Sequence, residues 1–440
     1  MSKIPEYVKN VLRRLENAGY EAWCVGGCVR DLHLGRTPQD WDVTTSALPE
    51  ETMEVFGDSA LPTGLKHGTV TVKVDGKAVE VTTYRRDGDY LDHRRPESVS
   101  FTTSLEEDLL RRDFTVNAMA MDLREQLRDP YGGLTDLEAG ILRCVGDAER
   151  RFDEDALRIL RGLRFSACLG FSIEPQTAAA IHKKKNLLRI IAVERIWVEL
   201  AKLLTGSDAV RVLREYVDVF GVFWPELLDM VGLDQKNRHH VYDVWEHTLH
   251  ALEHTEQELV LRCSVLLHDV GKPGCMTIDE NGVGHFYGHP AVSATLAEDM
   301  LRRLKVDNDT REMVVQQVAW HDRYIPRTDQ GLRRALRDLG EPALRRLLAV
   351  KRADNLAQAP ECYGIQAEID KAEQIMEHLL AKDACFSLKQ LAVSGRDLMA
   401  LGAVGPVVGA GLELLLDAVI DEQVENTREA LLSYYQQQSK

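Results

Sequence analysis

The 440-residue sequence has no Cys-x-x-Cys pair, no tandem repeat of fixed period and no low-complexity tract. Its eight cysteines are scattered, which excludes a disulfide scaffold and fits reduced thiols in a cytoplasm. The opening MSKIPEYVKN lacks a long apolar run, so no secretion signal is expected. The most apolar late stretch, 402–420, is interrupted by Glu413, Asp417 and several glycines and does not read as a membrane span. Net positive charge is missing too. Lys and Arg total 54 against 70 Asp and Glu, a formal charge of −16. A bulk-electrostatic nucleic-acid binder is usually basic, so any RNA contact must use a local basic surface. What is present is ordinary globular material, 44% hydrophobic and 28% charged, enough for two to four domains.

The apolar periodicity changes along the chain. Helical spacing over 7–15 is followed by short strand-like runs at 22–25, 41–45, 69–74 and 79–84, the last two flanking a hairpin signal at Asp75-Gly76. Residues 85–104 are polar and charged and read as a mobile loop. After Gly140 the pattern is almost wholly helical, with predicted helices at 153–165, 176–184 and 193–204. Pro225 and the polar stretch 234–240 suggest a boundary, and Gly and Pro interrupt the tail at 402–411. The expected fold class is α+β, a mixed-sheet head followed by a long helical body.

Several head residues carry chemistry. Gly26 and Gly27 lie between a strand and a helix, a turn that brings backbone N–H groups toward an anion. Asp40 and Asp42 share one face if their segment is extended, and Glu80 points opposite to its flanking valines. Carboxylates grouped this way suit paired Mg²⁺ ions for phosphoryl-type displacement. Asp155, Arg158, Arg161 and Arg164 recur every three residues on a predicted helix. An aspartate can accept from the amino group of cytosine or adenine while an arginine donates to the ring nitrogen; uracil and guanine present the reversed edge.

The blocks GGCVRD, DWD, RRDFTVNAMA, DPYGG, EDALRILRGLRF and ERIWVEL, in this order, closely resemble the class II tRNA nucleotidyltransferase and bacterial poly(A) polymerase superfamily, from about Gly26 to Leu204. The resemblance implies a polymerase-beta-like nucleotidyltransferase head at 1–138, a helical neck at 139–228 and a tail at 363–440 that binds the tRNA body. It implies Mg²⁺ at Asp40 and Asp42 and a triphosphate at Gly27 and Arg30. Arg112 and Asp113 would buttress the nucleotide, with Asn117 near the sugar. Asp155 and Arg158 would act as a side-chain template for CTP and ATP. The activity implied is addition or repair of the CCA at a tRNA 3′ end, with an A-adding enzyme or poly(A) polymerase as the alternative. The element Arg86-Asp87 with Gly88, Tyr90, Asp92, Arg94, Arg95 and Pro96 favours full CCA or terminal A addition, since its loss in this family accompanies enzymes adding only the C residues.

Further along, His247, His268-Asp269, His289, His321 and Asp354 follow the order of the HD phosphohydrolase superfamily, over roughly 240–356. That resemblance implies an HD domain at 229–362. His247, His268, Asp269 and Asp354 would hold one divalent metal (Ni, Mn, Fe, Co, Zn or Mg), His289 and His321 would add a second, and Lys272 would contact phosphate. Phosphatase or 2′,3′-cyclic phosphodiesterase activity would follow. A metal phosphohydrolase whose head only docks RNA is the rival of another class. The expected protein is cytoplasmic, without membrane partners, and a monomer or homodimer.

Overall fold

The computed structural model describes residues 3–87, 99–382 and 384–438. Contacts divide the chain into two compact units, Met1–Leu228 and Asp229–Lys440.

The first unit opens with α1 (Glu6–Asn17), whose Val8, Val11, Leu12 and Leu15 form one buried stripe. The strands β1 (Ala22–Val25), β2 (Asp42–Thr45), β3 (Ala60–Gly64), β4 (Thr69–Val74) and β5 (Lys77–Thr83) follow, with α2 (Gly27–His33) and α3 (Pro49–Phe56) between them. The ribbon β6 (Arg85–Asp87) and β7 (Val99–Phe101), then β8 (Ala120–Met121) and β9 (Leu127–Arg128), complete the strands of the head. Seven strands form one mixed sheet in the order β3-β4-β5-β2-β1-β8-β9. The Asp75-Gly76 turn joins β4 to β5 as expected, with Val70, Val72, Val79 and Val81 buried. Only β2 and β5 pair in parallel within this sheet, and Asp42 stands opposite Glu80.

Several expectations are corrected. Asp40 is not on a strand: β2 begins at Asp42, and Asp40 sits in the bend before it. The segment 85–104 is not wholly a loop, because β6 and β7 pair antiparallel at its ends and α4 (Leu105–Leu110) follows. Gly88, Tyr90, Asp92, Arg94, Arg95 and Pro96 lie outside the described residues. Helix 153–165 is two helices. After α5 (Gly133–Ala139), α6 (Ala148–Glu154) stops at Asp155, whose backbone is extended (φ −139°, ψ 104°), and α7 (Leu157–Leu169) restarts beyond it. The Asp155 carboxylate accepts the Leu157 N–H at 3.1 Å, so an acid that starts a helix replaces an acid inside one. The helices α8 (Pro175–Lys184) and α9 (Val193–Leu204) match their expected positions.

Among the described residues, the second unit is helical apart from a short hairpin of Thr277–Ile278 with Gly284–His285. Its central helix, Leu259–Leu267, is buried from Val260 through Leu267, as an all-round apolar helix must be. The tail break is shorter than 402–411: helix Pro406–Ile420 starts inside it. Gly411 belongs to that helix because a Cβ there would lie 2.7 Å from the Tyr435 ring and 2.9 Å from Leu398. No described helix is long and apolar enough to cross a membrane.

Candidate functional site

In the first unit the glycine turn, the acids and the arginines meet. Gly26 adopts φ +79° at the start of α2, and a Cβ there would meet Arg112 Nη1 at 3.1 Å, so only glycine admits both the turn and the guanidinium. Arg112 also faces the acids. Asp42 is solvent-exposed at the start of β2, but the protein around it removes part of its hydration and raises its pKa; Arg112 opposes the rise, and the Glu80 and Asp40 carboxylates add to it. Asp42 and Glu80 are adjacent through the parallel register, with Glu80 exposed between buried Val79 and Val81. Their ligand atoms and those of Asp40 are not among the described groups of three that close to within 4.8 Å.

A buried acid the sequence did not flag holds this arrangement. Asp108 is fully buried and accepts from Arg111 Nε at 2.9 Å, Arg112 Nη2 at 3.4 Å and the Thr44 hydroxyl of β2 at 3.2 Å. Burial disfavours its charge, but Arg111 and Arg112 outweigh it and keep the carboxyl below its usual range. Nearby, Arg86 of β6 donates to Glu107 Oε2 at 2.6 Å.

The neck arginines are each held by an acid. Arg158 donates to Glu154 Oε2 at 2.8 Å, the Arg111 carbonyl at 2.8 Å and the Arg151 carbonyl at 3.1 Å. Asp155 instead lies 3.5 Å from Arg195, and burial raises its pKa against that guanidinium. Arg161 donates twice to Asp113 Oδ2, at 2.8 and 2.6 Å. Burial opposes the Asp113 charge, yet Arg161 and Asn117 hold its carboxyl far below the usual range. Arg164 donates to Glu199 at 2.5 Å. Arg30 donates to Asp31 at 2.7 Å and to Asn117 Oδ1 at 2.7 Å. Sequence reasoning did not single out Glu154, Glu199 or Arg195; the available signal was the four-residue spacing of Glu154 from Arg158 and of Glu199 from Arg195.

In the second unit all six expected ligands converge, in two groups of three: His247, His268 and Asp354; and Asp269, His289 and His321. His247 rides on helix Val244–Glu253, His268 and Asp269 follow Leu259–Leu267, His289 starts His289–Arg303, His321 follows Asn308–Trp320, and Asp354 lies in Glu341–Leu356. His268, His289 and His321 each place Nδ1 on the carbonyl three residues earlier, Val265 at 2.7 Å, Phe286 at 2.9 Å and Val318 at 2.7 Å. His247 Nδ1 faces the Ala357 carbonyl at 3.3 Å. A carbonyl only accepts, so each Nδ1 carries a proton and each Nε2 points inward, with a lone pair there whenever the ring is neutral. His289 Nε2 and His321 Nε2 then oppose each other at 3.1 Å, two acceptors that need a cation or proton between them. His268 Nε2 is buried without a hydrogen-bond partner, 3.2 Å from Asp269 Oδ2, which the Lys272 ammonium holds from its other side. A nitrogen-and-oxygen donor set with an orphaned inward nitrogen fits a transition metal. Lys272 is buried against Asp269 at 2.7 Å and Gln235 at 2.8 Å, and it lines the cavity of about 300 Å³ beside the cluster.

In the tail, Asp397 and Asn426 do structural work. Asp397 caps its own helix through Ser394 N and pairs with Arg428 at 2.6 Å, and Asn426 bridges Ala392 N and the Gln390 carbonyl.

Comparison with known proteins agrees with the first unit's geometry. Family models match as Poly A polymerase head domain over residues 22–143, as the probable RNA and SrmB-binding site of polymerase A over 170–227, and as a tRNA nucleotidyltransferase domain 2 over 290–435. The CCA-adding enzyme of Geobacillus thermodenitrificans (strain NG80-2) is 53% identical over 203 residues, 46% of this chain and 50% of that protein, so the match spans about half the length of this curated relative. That of Leuconostoc mesenteroides is 46% identical over 248 residues, 54% of this chain and 61% of its own. Among solved structures, the Bacillus stearothermophilus CCA-adding enzyme in complex with CTP is similar over 99% of this chain and 97% of its own, with 32% identity and a TM-score of 0.71. The Thermotoga maritima CCA-adding enzyme complexed with tRNA shares the fold at a TM-score of 0.59, 18% identity and 100% and 97% coverage. With a sheet head that sets Asp42 beside Glu80 and a relative 32% identical along nearly its whole length, the chain belongs to the CCA-adding enzyme family of tRNA nucleotidyltransferases.

Proposed function

We propose that the protein adds and repairs the 3′-terminal CCA of tRNA, using CTP and ATP and releasing pyrophosphate, in the cytoplasm. The observation that carries this reading is the β2–β5 register that sets Asp42 opposite Glu80, with Arg112 near both Asp42 and the Gly26 turn. Carboxylate oxygens fit hard divalent cations, so Asp40 and Asp42, with Glu80 opposite Asp42 on the neighbouring strand, are the candidate Mg²⁺ ligands. When bound, such ions lower the pKa of the RNA 3′-hydroxyl and stabilise the leaving oxygens. The chain's own residues supply the rest. Gly27 and Arg30 face the triphosphate, Arg112 and Asp113 frame the nucleotide, and Asn117 lies by the sugar. Asp155 accepts from the base amino group. Arg158, held rigid by Glu154 and two carbonyls, donates to the ring nitrogen. Uracil and guanine would leave like groups facing each other, at a cost of about 1–3 kcal/mol for each unpaired buried group. The tail at 363–440 takes the tRNA body, contacting phosphates and shape.

A second activity rests on the inward Nε2 atoms, above all the facing pair of His289 and His321: metal-dependent phosphoester hydrolysis at the six-ligand cluster. The decisive assay offers tRNAs ending before CCA, after C and after CC to each nucleoside triphosphate separately, read at single-nucleotide resolution. Addition of C, C and A in turn is expected. The variant Asp40→Ala with Asp42→Ala should lose incorporation while keeping any phosphatase activity; incorporation that survives overturns the assignment.

A further inference from the structure

One aromatic ring gathers the arginines of the first unit. Phe165 is buried near the end of α7 and meets Phe114 edge-on, with ring centroids 5.9 Å apart. Three guanidinium carbons lie over the Phe165 ring: Arg164 at 3.7 Å, Arg30 at 5.1 Å and Arg161 at 5.4 Å from its centroid. Three like charges around one ring repel unless each is compensated. Asp31 compensates Arg30, Asp113 compensates Arg161, and Glu199 compensates Arg164. Asn117 links the first two pairs by accepting from Arg30 at 2.7 Å and donating to Asp113 at 3.1 Å. Arg161 and Glu199, 3.9 Å apart, link the last two. A chain of polar contacts thus runs from α2, behind the glycine turn, to α9, and Phe165 is the apolar surface beneath all three cations.

Resting on the nucleotidyltransferase reading above, we propose that Phe165 is a positioning residue that sets the Arg30 side of the site, which faces triphosphate, in register with the Asp155–Arg158 turn, which selects the base. Arg30 belongs to α2, and Arg161 and Arg164 belong to the helix that begins just after Asp155. The ring attracts the guanidinium faces through its quadrupole, and an aliphatic side chain of similar bulk does not. Without that surface the arginines keep their acids but lose the ring they share as a support. A nucleotide held by its phosphates then no longer presents its base edge squarely to the selecting pair.

The test uses the full chain carrying Phe165→Leu, Phe165→Met or Phe165→Tyr, with KM, kcat and the preference for C over U measured on a tRNA lacking CCA, beside a thermal melt. In Leu and Met variants the C-over-U preference should fall about ten-fold and the KM for CTP rise by a similar factor, with kcat within about three-fold of wild type; Tyr, which keeps the ring, should stay near wild type. Unchanged preference in the Leu and Met variants overturns the proposal, as does a Tyr variant as impaired as Leu. If neither aliphatic variant folds, Glu199→Gln decides: it loosens Arg164 from the far end of the same chain and should also lower the preference, and an unchanged ratio there overturns the proposal. A wild-type chain that incorporates neither C nor A overturns the functional reading itself, and the proposal with it.

Discussion

Replacing Asp113 with Asn tests the buried charge network most directly. The carboxylate accepts the Phe114 N–H at 2.8 Å and Asn117 Nδ2 at 3.1 Å through one oxygen, and two Arg161 donors through the other. Asparagine loses the charge opposite Arg161 and keeps only one acceptor, so its amide donor faces either Arg161 or the Phe114 and Asn117 N–H groups. Removing one partner of a buried pair costs about 3–5 kcal/mol. Arg161 retains 35% side-chain exposure, so water recovers part of that, and a loss of about 3 kcal/mol is the better figure. For a unit of this size each kcal/mol shifts the melting temperature by about 2–4 °C, giving a drop of about 6–12 °C by calorimetry. The double variant with Arg161→Gln should recover about 2 kcal/mol relative to additivity. Acid removes the same interaction. Because the folded pKa of Asp113 is depressed, its stabilisation is complete above the unfolded value of about 3.9 and is lost as pH falls through the lower folded value. The gap between wild type and variant should therefore hold steady from pH 7 to about 5 and shrink below about 4. A shift under about 2 °C at pH 7, or a gap that persists undiminished in acid, refutes this account.

Gly26→Ala should destabilise the first unit by about 1–2 kcal/mol and raise the KM for nucleotide, because the new Cβ is strained at φ +79° and presses on Arg112; a variant with wild-type KM and melting temperature contradicts the tight turn. Chelator-dialysed protein should melt higher when Mn²⁺ or Ni²⁺ is returned, by about 2.7 kcal/mol of linkage at a hundred-fold excess over Kd, and Asp269→Asn should abolish the response. A response that survives in Asp269→Asn places the ion elsewhere.

Much of this was legible in the sequence because local rules governed it. The hairpin at Asp75-Gly76, the β-face alternation around Glu80 and helix α9 all follow from spacing alone. The six metal-type ligands were readable through their order along the chain, which resembles the HD superfamily, and the fold brings them together. The misses share a cause in tertiary contact. Asp155 reads as helical by periodicity, but its carboxylate caps the next helix. Asp108 looks like an exposed acid in the run Glu106-Glu107-Asp108, and only the fold shows it buried under Arg111 and Arg112. Gly411 reads as a helix breaker, but the ring of Tyr435 takes the space a side chain would fill.

The parallel edge between β2 and β5 bears on how the molecule matures. Asp42 and Glu80 are 38 positions apart, and the strand pair that aligns them cannot form as a local hairpin. The β4–β5 ribbon closes through a two-residue turn and can form early, whereas non-local pairing bears a larger loop-closure cost and comes later. A slip of one residue at that late step would bury Glu80 and expose Val81. Synthesis of a competent acidic edge is thus gated by a single long-range alignment, and in a refolding experiment strand content should recover before nucleotide incorporation does.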